Sequence, residues 1–563
     1  MPLPSDQTPS QTARDAAWAR LALLPEPEVV ILGGGVNGAG TLRDLALNGV
    51  SAVLLDTGDF CGGASGASSR MAHGGLRYLE GREFRLVAEA ARERNLLLHQ
   101  APHLVRPLEI VVPLTALLAG FPQAVLRFLG LSRRPGPLSL AALTGALVLY
   151  ERFGAVRRAL PRHTTRLRRV GFPRGLGAAT RAVVSYYDGQ ILSPEALVLE
   201  MLDEAAAQPG VVALNHVGWE TDGTGAFTVR NSLTGQTAVL RPRLVVNAAG
   251  AAVDAVNARL GLTTALIRGV KGAHLVLRHP QLLARMAGRA FYFDDGTGRM
   301  VICLPVEDTI LMGTTEVETR DPDDKAVAAV EVDYLLAALG RLFGDIAVGR
   351  AHLVAVTTGI RPLQAGGGGS ATSAARDHAL EEHRAGPLPV LSLVGGKWTT
   401  FRSFSEQAAD RVLALLGRAR RVSTLERAYP GAAPVDAAAL AAQTGLTPAR
   451  IAALIARYGA LAVPVAAHCA VGPDRMLAGQ TAWSWREADW LIRARMACAL
   501  EDLVLRRTRL VASGTLSRAT LEDLATCLAA ALGRDADWAA AEVARAAADP
   551  RILGCVTVSG DKP

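Results

Sequence analysis

The chain has 563 residues, 50% of them hydrophobic and 20% charged, which excludes a disordered or fibrous protein and leaves room for up to three domains. A formal net charge of +8 makes the surface attractive to anions, whether a phosphorylated substrate, an acidic lipid or a nucleic acid, without choosing among them. The cysteines, Cys61, Cys303, Cys469, Cys498, Cys527 and Cys555, show no C-x-x-C spacing, which argues against a thiolate metal or iron–sulfur site and predicts reduced thiols.

Residues 1–27 carry Asp6, Arg14, Asp15, Arg20 and Glu26 and have no long apolar core, so they are expected to be an N-terminal extension and not a secretory signal. Residues 28–32 predict a strand, followed by a glycine turn and a helix through Gly49, then a second strand over 52–56. This is the βαβ unit that begins a doubly wound sheet. The turn Gly33-Gly34-Gly35-Val36-Asn37-Gly38 satisfies G-x-G-x-x-G, and Asp56 ends the second strand at the spacing a ribose-binding acid requires. In such a motif Gly33 permits the tight turn, Gly35 lets the backbone approach a pyrophosphate, and Gly38 allows close packing of helix on strand. The helix N-terminus then offers free N–H groups and a positive dipole end to the phosphates. The motif alone does not choose between FAD and NAD.

No apolar stretch reaches the ~20 clean residues of a spanning helix. The nearest are residues 110–126, interrupted by Pro113 and Pro122, and residues 138–150. Between residues 151 and 174 stand Arg152, Arg157, Arg158, Arg162, Arg166, Arg168, Arg169 and Arg174 against a single acid, Glu151. Arginines beside a short apolar segment suit peripheral binding to an anionic bilayer surface. No aromatic stacking platform accompanies them, which argues against a nucleic-acid partner.

Farther along, residues 211–214 and 244–247 predict further strands of the first sheet. Residues 300–304 and 309–312 predict an antiparallel pair around the turn Glu307-Asp308, a sheet of different character and hence an inserted domain. After Pro430-Gly431 alanine and leucine dominate, and helices are expected over 448–458, 488–506, 517–532 and 538–547. The fold class is therefore α/β: a Rossmann-like doubly wound dinucleotide-binding domain (28–110, 180–265 and 355–415), an inserted mixed or antiparallel substrate and cap region (111–179 and 266–354), and an all-helical C-terminal domain (430–563).

The run Ser65-Gly66-Ala67-Ser68-Ser69-Arg70-Met71-Ala72-His73-Gly74-Gly75-Leu76-Arg77-Tyr78-Leu79-Glu80 resembles the signature of FAD-dependent, membrane-associated glycerol-3-phosphate dehydrogenases. Later blocks agree in order: Asn247-Ala248-Ala249-Gly250, Lys271-Gly272-Ala273-His274, Gly313-Thr314-Thr315-Glu316, Gly359-Ile360-Arg361-Pro362-Leu363 and Gly395-Gly396-Lys397-Trp398-Thr399-Thr400-Phe401-Arg402. In the helical region Glu501-Asp502-Leu503 and Arg506-Arg507-Thr508 also fit, so the resemblance spans residues 28–515.

The resemblance implies FAD as cofactor. Ser68, Ser69, His73, Gly74 and Gly75 would line the flavin and its phosphates, Gly250 would close over the dinucleotide, and Val217 would face the adenine through its backbone. Gly396 and Lys397 would lie by the ring, with Thr399 and Thr400 opening a helix aimed at it. For the substrate it implies Arg77, Tyr78, His274, Arg361 and Lys397, with His274 as general base and Arg361 or Lys397 at the reacting oxygen. Each has a plainer reading: Arg77 as a surface partner of Glu80 or Glu83, His274 as a core histidine, Lys397 as a flavin contact only.

Three blocks depart from the family pattern. Gly250-Ala251-Ala252 replaces Gly-Pro-Trp, Ser193-Pro194-Glu195-Ala196-Leu197 replaces Asp-Asp-Ala-Arg-Leu, and Glu316 replaces an aspartate. The implied activity is oxidation of sn-glycerol 3-phosphate to dihydroxyacetone phosphate by hydride transfer to flavin N5, with electrons passed to membrane quinone at the cytoplasmic face and a homodimer as a further expectation. Competing readings are a glycerol-3-phosphate oxidase, a divergent oxidase of another small alcohol or amine, and a non-catalytic flavoprotein.

Overall fold

The computed structural model describes residues 12–76, 83–119, 139–154, 160–168, 172–173, 175–365, 378–549 and 551–552. Arg77 and Tyr78, four of the eight arginines of the basic segment (Arg157, Arg158, Arg169 and Arg174) and Cys555 lie outside these residues. The five described cysteines are free and buried.

The first sheet has six strands in the order Ala379–Ala385, Leu388–Val394, Leu244–Asn247, Val29–Leu32, Ala52–Leu55, Val211–Leu214. All neighbours are parallel except the edge pair Ala379–Ala385 and Leu388–Val394. Val29–Leu32, Ala52–Leu55, Val211–Leu214 and Leu244–Asn247 are buried at every position, which is why they read as continuous apolar runs and not as alternating ones. Helices Val36–Leu47, Pro194–Ala206 and Phe401–Leu415 share a core with one face of this sheet. The other face packs on the three-stranded sheet Val217–Thr221, Phe227–Asn231, Thr237–Leu240 and on the helix Ala13–Ala22. The buried Arg14 guanidinium donates to the carbonyls of Asn215 and His216 and to Asn231 Oδ1, so the extension is built into the domain from residue 12 onward.

The second sheet is larger and mostly antiparallel. Its main path runs Val317–Thr319, Ile267–Leu277, Thr309–Gly313, Met300–Val306, Ala290–Asp294, Val105–Leu114, Ala182–Ile191, Met71–Ala72, with Leu353–Gln364 added against Ile267–Leu277. The expected antiparallel pair is there, turning at Glu307 with φ +53°. Met71–Ala72 and Ala182–Ile191, from segments expected in the dinucleotide-binding domain, join this sheet, as do Val105–Leu114 and Leu353–Gln364, which cross the expected boundaries. The sequence hides this because Ala182–Ile191 is buried at eight of ten positions, and a continuously apolar strand carries no mark of which sheet it joins.

The C-terminal domain comprises helices Ala437–Thr444, Pro448–Tyr458, Ala462–Cys469, Trp485–Ala494, Arg518–Leu532 and Ala536–Ala548. Its Leu454, Leu491 and Leu524 share one hydrophobic cluster with Val276, Leu304 and Val354 of the large sheet, so the two pack as one core. The single helix expected over 488–506 is broken. It stops at Ala494, Met496 takes φ +52°, and the Asp502 carboxylate accepts the Cys498 and Ala499 N–H groups, restarting the chain as a π-helical turn, Asp502–Arg507. Among the described residues, Pro448–Cys469 is the one helical run long and apolar enough to cross a membrane by length and composition. It is two helices joined at Gly459–Leu461, and Ile451, Leu454 and Val465 point into the core.

Candidate active site

The glycine turn is shaped by contacts no side chain permits. Gly33 has φ +110°, and a Cβ there would lie 2.7 Å from the Ala248 carbonyl oxygen. A Cβ on Gly38 would lie 2.0 Å from the Gly33 carbonyl oxygen, so the helix Val36–Leu47 can approach its strand only as it is. Gly34 N–H donates to Asp56 Oδ2 (2.7 Å) and Gly58 N–H to Oδ1 (2.9 Å), which fixes the carboxylate while each oxygen keeps a lone pair for a ribose hydroxyl. Val217 N–H donates to the Asp56 carbonyl at 3.0 Å, which holds the two residues side by side. Gly35 is the helix N-cap and Val36 N–H donates to Ser65 Oγ (3.0 Å), so the helix start meets the loop after the second strand. Asn37 Nδ2 donates to the Gly395 carbonyl (3.1 Å), while Asn37 Oδ1 is buried with no partner. A bare glycine cradle at a helix N-terminus, an oriented acid and an orphaned buried acceptor together fit a dinucleotide.

The residues that the resemblance assigns to the flavin come together from segments far apart in sequence. His73 N–H donates to Thr399 Oγ1, which in turn donates to the His73 carbonyl, both at 3.0 Å. Thr400 is the N-cap of Phe401–Leu415 and makes no side-chain capping bond, leaving that helix N-terminus open, with Lys397 in the turn just before it (Thr400 N–H to the Lys397 carbonyl, 3.1 Å). Trp398 Nε1 donates to the Ser65 carbonyl at 2.9 Å, and a Cβ on Gly396 would lie 2.7 Å from Asn37 Nδ2. Gly396, Lys397, Thr399 and Thr400 are thus brought to His73 and Asn37. Gly250 opens a 3₁₀ turn, Gly250–Ala252, at the end of Leu244–Asn247, with φ +60°.

One supporting group was not anticipated. Gly74 N–H donates to the Tyr150 hydroxyl (2.8 Å) and to Asp188 Oδ1 (3.2 Å). Arg94 Nη1 donates to the same hydroxyl and the same carboxylate oxygen, both at 2.7 Å, and all three side chains are buried. Burial pushes the Tyr150 phenol well above its usual range, so it stays protonated and donates to Asp188 at 2.6 Å. Their only trace in the sequence is the Tyr186-Tyr187-Asp188 stretch; Arg94 and Tyr150 bear no motif.

His274 lies in the strand Ile267–Leu277 and is 3% exposed. Its Nε2 is 2.7 Å from Ser69 Oγ, and its Nδ1 has no partner. The ring lies over Gly313, where a Cβ would be 2.3 Å from His274 Cδ2. Burial, reinforced by the charges of Arg361 and Arg70, pulls its pKa down to about 3, so the imidazole is neutral. Gly272 and His274 share a strand face. A Cβ on Gly272 would lie 3.0 Å from Arg361 Nη2, so the guanidinium rests over that bare glycine, beside His274. Two residues before Arg361, Gly359 packs on the loop carrying Ser68 and Ser69, a Cβ there falling 2.9 Å from Ala67 Cβ. The altered block acts behind this loop: Ser193 caps the helix Pro194–Ala206, and Glu195 Oε1 pairs with Arg70 Nη2 (3.3 Å), whose backbone is held at φ +55°. Ser69, His274 and Arg361 are therefore brought together; Arg77 and Tyr78 lie outside the described residues.

The model of the FAD dependent oxidoreductase family matches residues 28–402, and that of the C-terminal domain of alpha-glycerophosphate oxidase matches residues 422–539. The chain is 31% identical over 400 residues to D-erythritol 1-phosphate dehydrogenase of Brucella abortus, covering 69% of this chain and 74% of that enzyme. It is 32% identical over 426 residues to glycerol-3-phosphate dehydrogenase of Synechocystis, covering 72% and 73% respectively. The crystal structure of a glycerol-3-phosphate dehydrogenase from Bacillus halodurans complexed with FAD superposes with a TM-score of 0.72 at 20% identity, over 96% of this chain and 97% of that one, which supports the fold. The chain belongs to the FAD-dependent oxidoreductases, in the family of the glycerol-3-phosphate dehydrogenases and α-glycerophosphate oxidases, and FAD is its cofactor.

Proposed function

We propose that the chain oxidises a small phosphorylated polyol, sn-glycerol 3-phosphate, to the ketone dihydroxyacetone phosphate and delivers the electrons to a membrane quinone. The observation that carries this reading is a buried, neutral His274 with an unpartnered Nδ1, set beside the Arg361 guanidinium. FAD, when bound, supplies the two-electron acceptor for a hydride. The chain supplies the rest. Neutral His274 is in the state that accepts the hydroxyl proton, Ser69 fixes its ring, and Arg361 attracts the anion. Two relatives bear the names of dehydrogenases of phosphorylated polyols, one of glycerol and one of erythritol, and this supports the substrate class.

The quinone and membrane parts of the proposal draw on the far end of the large sheet. Leu117, Leu118, Val148 and Leu167 are exposed there at 38, 70, 58 and 43%. Leu114 and Leu167 flank the same residue, Ala182, and the start of the helix Leu140–Phe153 bonds to the Ala116 and Leu117 carbonyls. Exposed Arg152, Arg162, Arg166 and Arg168 accompany them. Exposed apolar side chains together with exposed arginines suit the cytoplasmic surface of an anionic bilayer.

Anaerobic titration of the purified holoenzyme with sn-glycerol 3-phosphate tests the proposal. Bleaching of the flavin, reversed quickly by a quinone analogue and slowly by air, is the expected result. Stoichiometric hydrogen peroxide in air would instead make the chain an oxidase, and a flavin left oxidised at millimolar substrate would remove the substrate assignment.

A further inference from the structure

A second arginine, Arg299, approaches the same carboxylate as Arg361, that of Glu316. Arg299 ends the turn between Ala290–Asp294 and Met300–Val306, where Asp295 Oδ1 accepts the N–H groups of Thr297 (2.8 Å) and Arg299 (3.3 Å) and Asp295 Oδ2 accepts the Tyr334 hydroxyl (2.5 Å). So anchored, Arg299 Nη2 donates to the Thr314 carbonyl at 2.5 Å and its Nε lies 3.7 Å from Glu316 Oε2. Arg361 Nη1 lies 3.4 Å from Glu316 Oε1, and Nη2 donates to Thr314 Oγ1 at 3.2 Å. One carboxylate is bracketed by two guanidiniums, an oxygen to each.

The bracket is loose. Charge-assisted pairs close to about 2.7–2.9 Å, and those that hold this fold do so: Arg94 to Asp188 and Arg402 to Glu93 are both 2.7 Å, with side chains 3–8% exposed. The Arg299 and Arg361 side chains are 22 and 36% exposed. A carboxylate offers one charge and two oxygens, whereas a phosphate monoester carries about −1.5 to −2 with three strong acceptor oxygens. We infer that Arg299 is a phosphate-binding residue of this site, acting with Arg361, and that Glu316 is the internal anion the substrate phosphate displaces. This rests on the reading of the site as one for a phosphorylated substrate; it assigns the phosphate to the Arg299–Arg361 side and leaves the reacting oxygen to His274 and Lys397.

The test is calorimetric titration of the holoenzyme with inorganic phosphate, beside steady-state kinetics with sn-glycerol 3-phosphate, for wild type, Arg299→Met, Arg299→Lys and Glu316→Gln. A hydrogen bond between charged groups is worth enough to predict a loss of about tenfold or more in phosphate affinity for Arg299→Met, mirrored mainly in KM. Arg299→Lys, which keeps the charge but loses the fork, falls between. Glu316→Gln, freed of the competing charge, binds phosphate several-fold more tightly, about what a pair this loose is worth. An Arg299→Met protein with full flavin content and phosphate affinity within twofold of wild type overturns the inference. So does a Glu316→Gln protein weakened as much as Arg299→Met, since Glu316 would then support the arginines and not compete with the ligand. If these variants shift phosphate affinity as expected but sn-glycerol 3-phosphate leaves the wild-type flavin oxidised, the substrate proposal falls and the anion site stands.

Discussion

Two arginine–carboxylate clusters in this molecule have the same chemistry and opposite construction. At the junction with the C-terminal domain, Asp59 takes Arg506 Nε at 2.5 Å and Arg507 Nη2 at 2.7 Å, with side chains 0–5% exposed, while Asp502 takes Arg506 at 2.7 Å and His216 at 2.9 Å. By the substrate site, Glu316 stands 3.4 and 3.7 Å from Arg361 and Arg299, within reach of solvent. The first cluster is short and buried and joins two domains; the second has longer contacts and more exposed side chains. The lesson is that tightness and burial separate charges that hold a fold from charges that wait for a ligand.

The largest expected consequence lies at the junction. Asp59→Asn leaves Arg506 and Arg507 buried without that counter-charge and should cost about 3–5 kcal/mol, read as a lower melting temperature or as independent melting of the C-terminal domain. An Asp59→Asn protein as stable as wild type would mean that the junction is as loose as the substrate site.

Next come the two histidines, one in each region, which should respond to pH with opposite sign. His274, held at about 3 against an ordinary 6.5, binds fewer protons folded than unfolded. Stability should therefore fall as pH drops below about 6.5, by roughly 2 kcal/mol at pH 5, and His274→Gln should abolish that loss. Burial opposes the charge on His216, but the hydrogen bond and charge of Asp502 outweigh it and hold its pKa above the ordinary value. Its contribution is present at low pH and lost as pH rises through the folded pKa, so His216→Gln should remove a stabilisation on the acid side. Melting curves from pH 5 to 8 for wild type and both variants check the pair; parallel shifts would contradict it.

The smallest effect is expected at Glu316. Glu316→Gln should change stability by no more than about 0.5–1 kcal/mol, because a loose, partly exposed pair contributes little. Added salt should raise KM for the phosphorylated substrate while leaving the junction's melting behaviour nearly unmoved. A drop in stability comparable to that of Asp59→Asn would erase the distinction between the clusters.

How far the sequence reaches follows the same divide between local and assembled features. The strands 28–32, 211–214 and 244–247 are readable because burial on both faces writes an uninterrupted apolar run, and the turn at Gly33 because only glycine fits it. His274, Arg361 and Lys397 came from the family resemblance. Nothing local says that strand pairing sets Val270 opposite Arg361 and His274 opposite Thr357, bringing both functional residues to one place. Arg94, Tyr150, Asp188 and Arg299 were missed because each gains its role from partners distant in sequence or on another strand. The break after Ala494 was missed because an alanine- and leucine-rich composition masks the backbone bonds Asp502 makes to Cys498 and Ala499.

The most direct measurement is the anaerobic, stopped-flow rate of flavin reduction in the wild-type holoenzyme by sn-glycerol 3-phosphate and, in parallel, by glycerol. On the proposed role of Arg299 and Arg361 in holding the phosphate, the phosphorylated alcohol should reduce the flavin at least about a hundredfold faster at equal concentration. Equal rates for the two alcohols would contradict a site built around a phosphate.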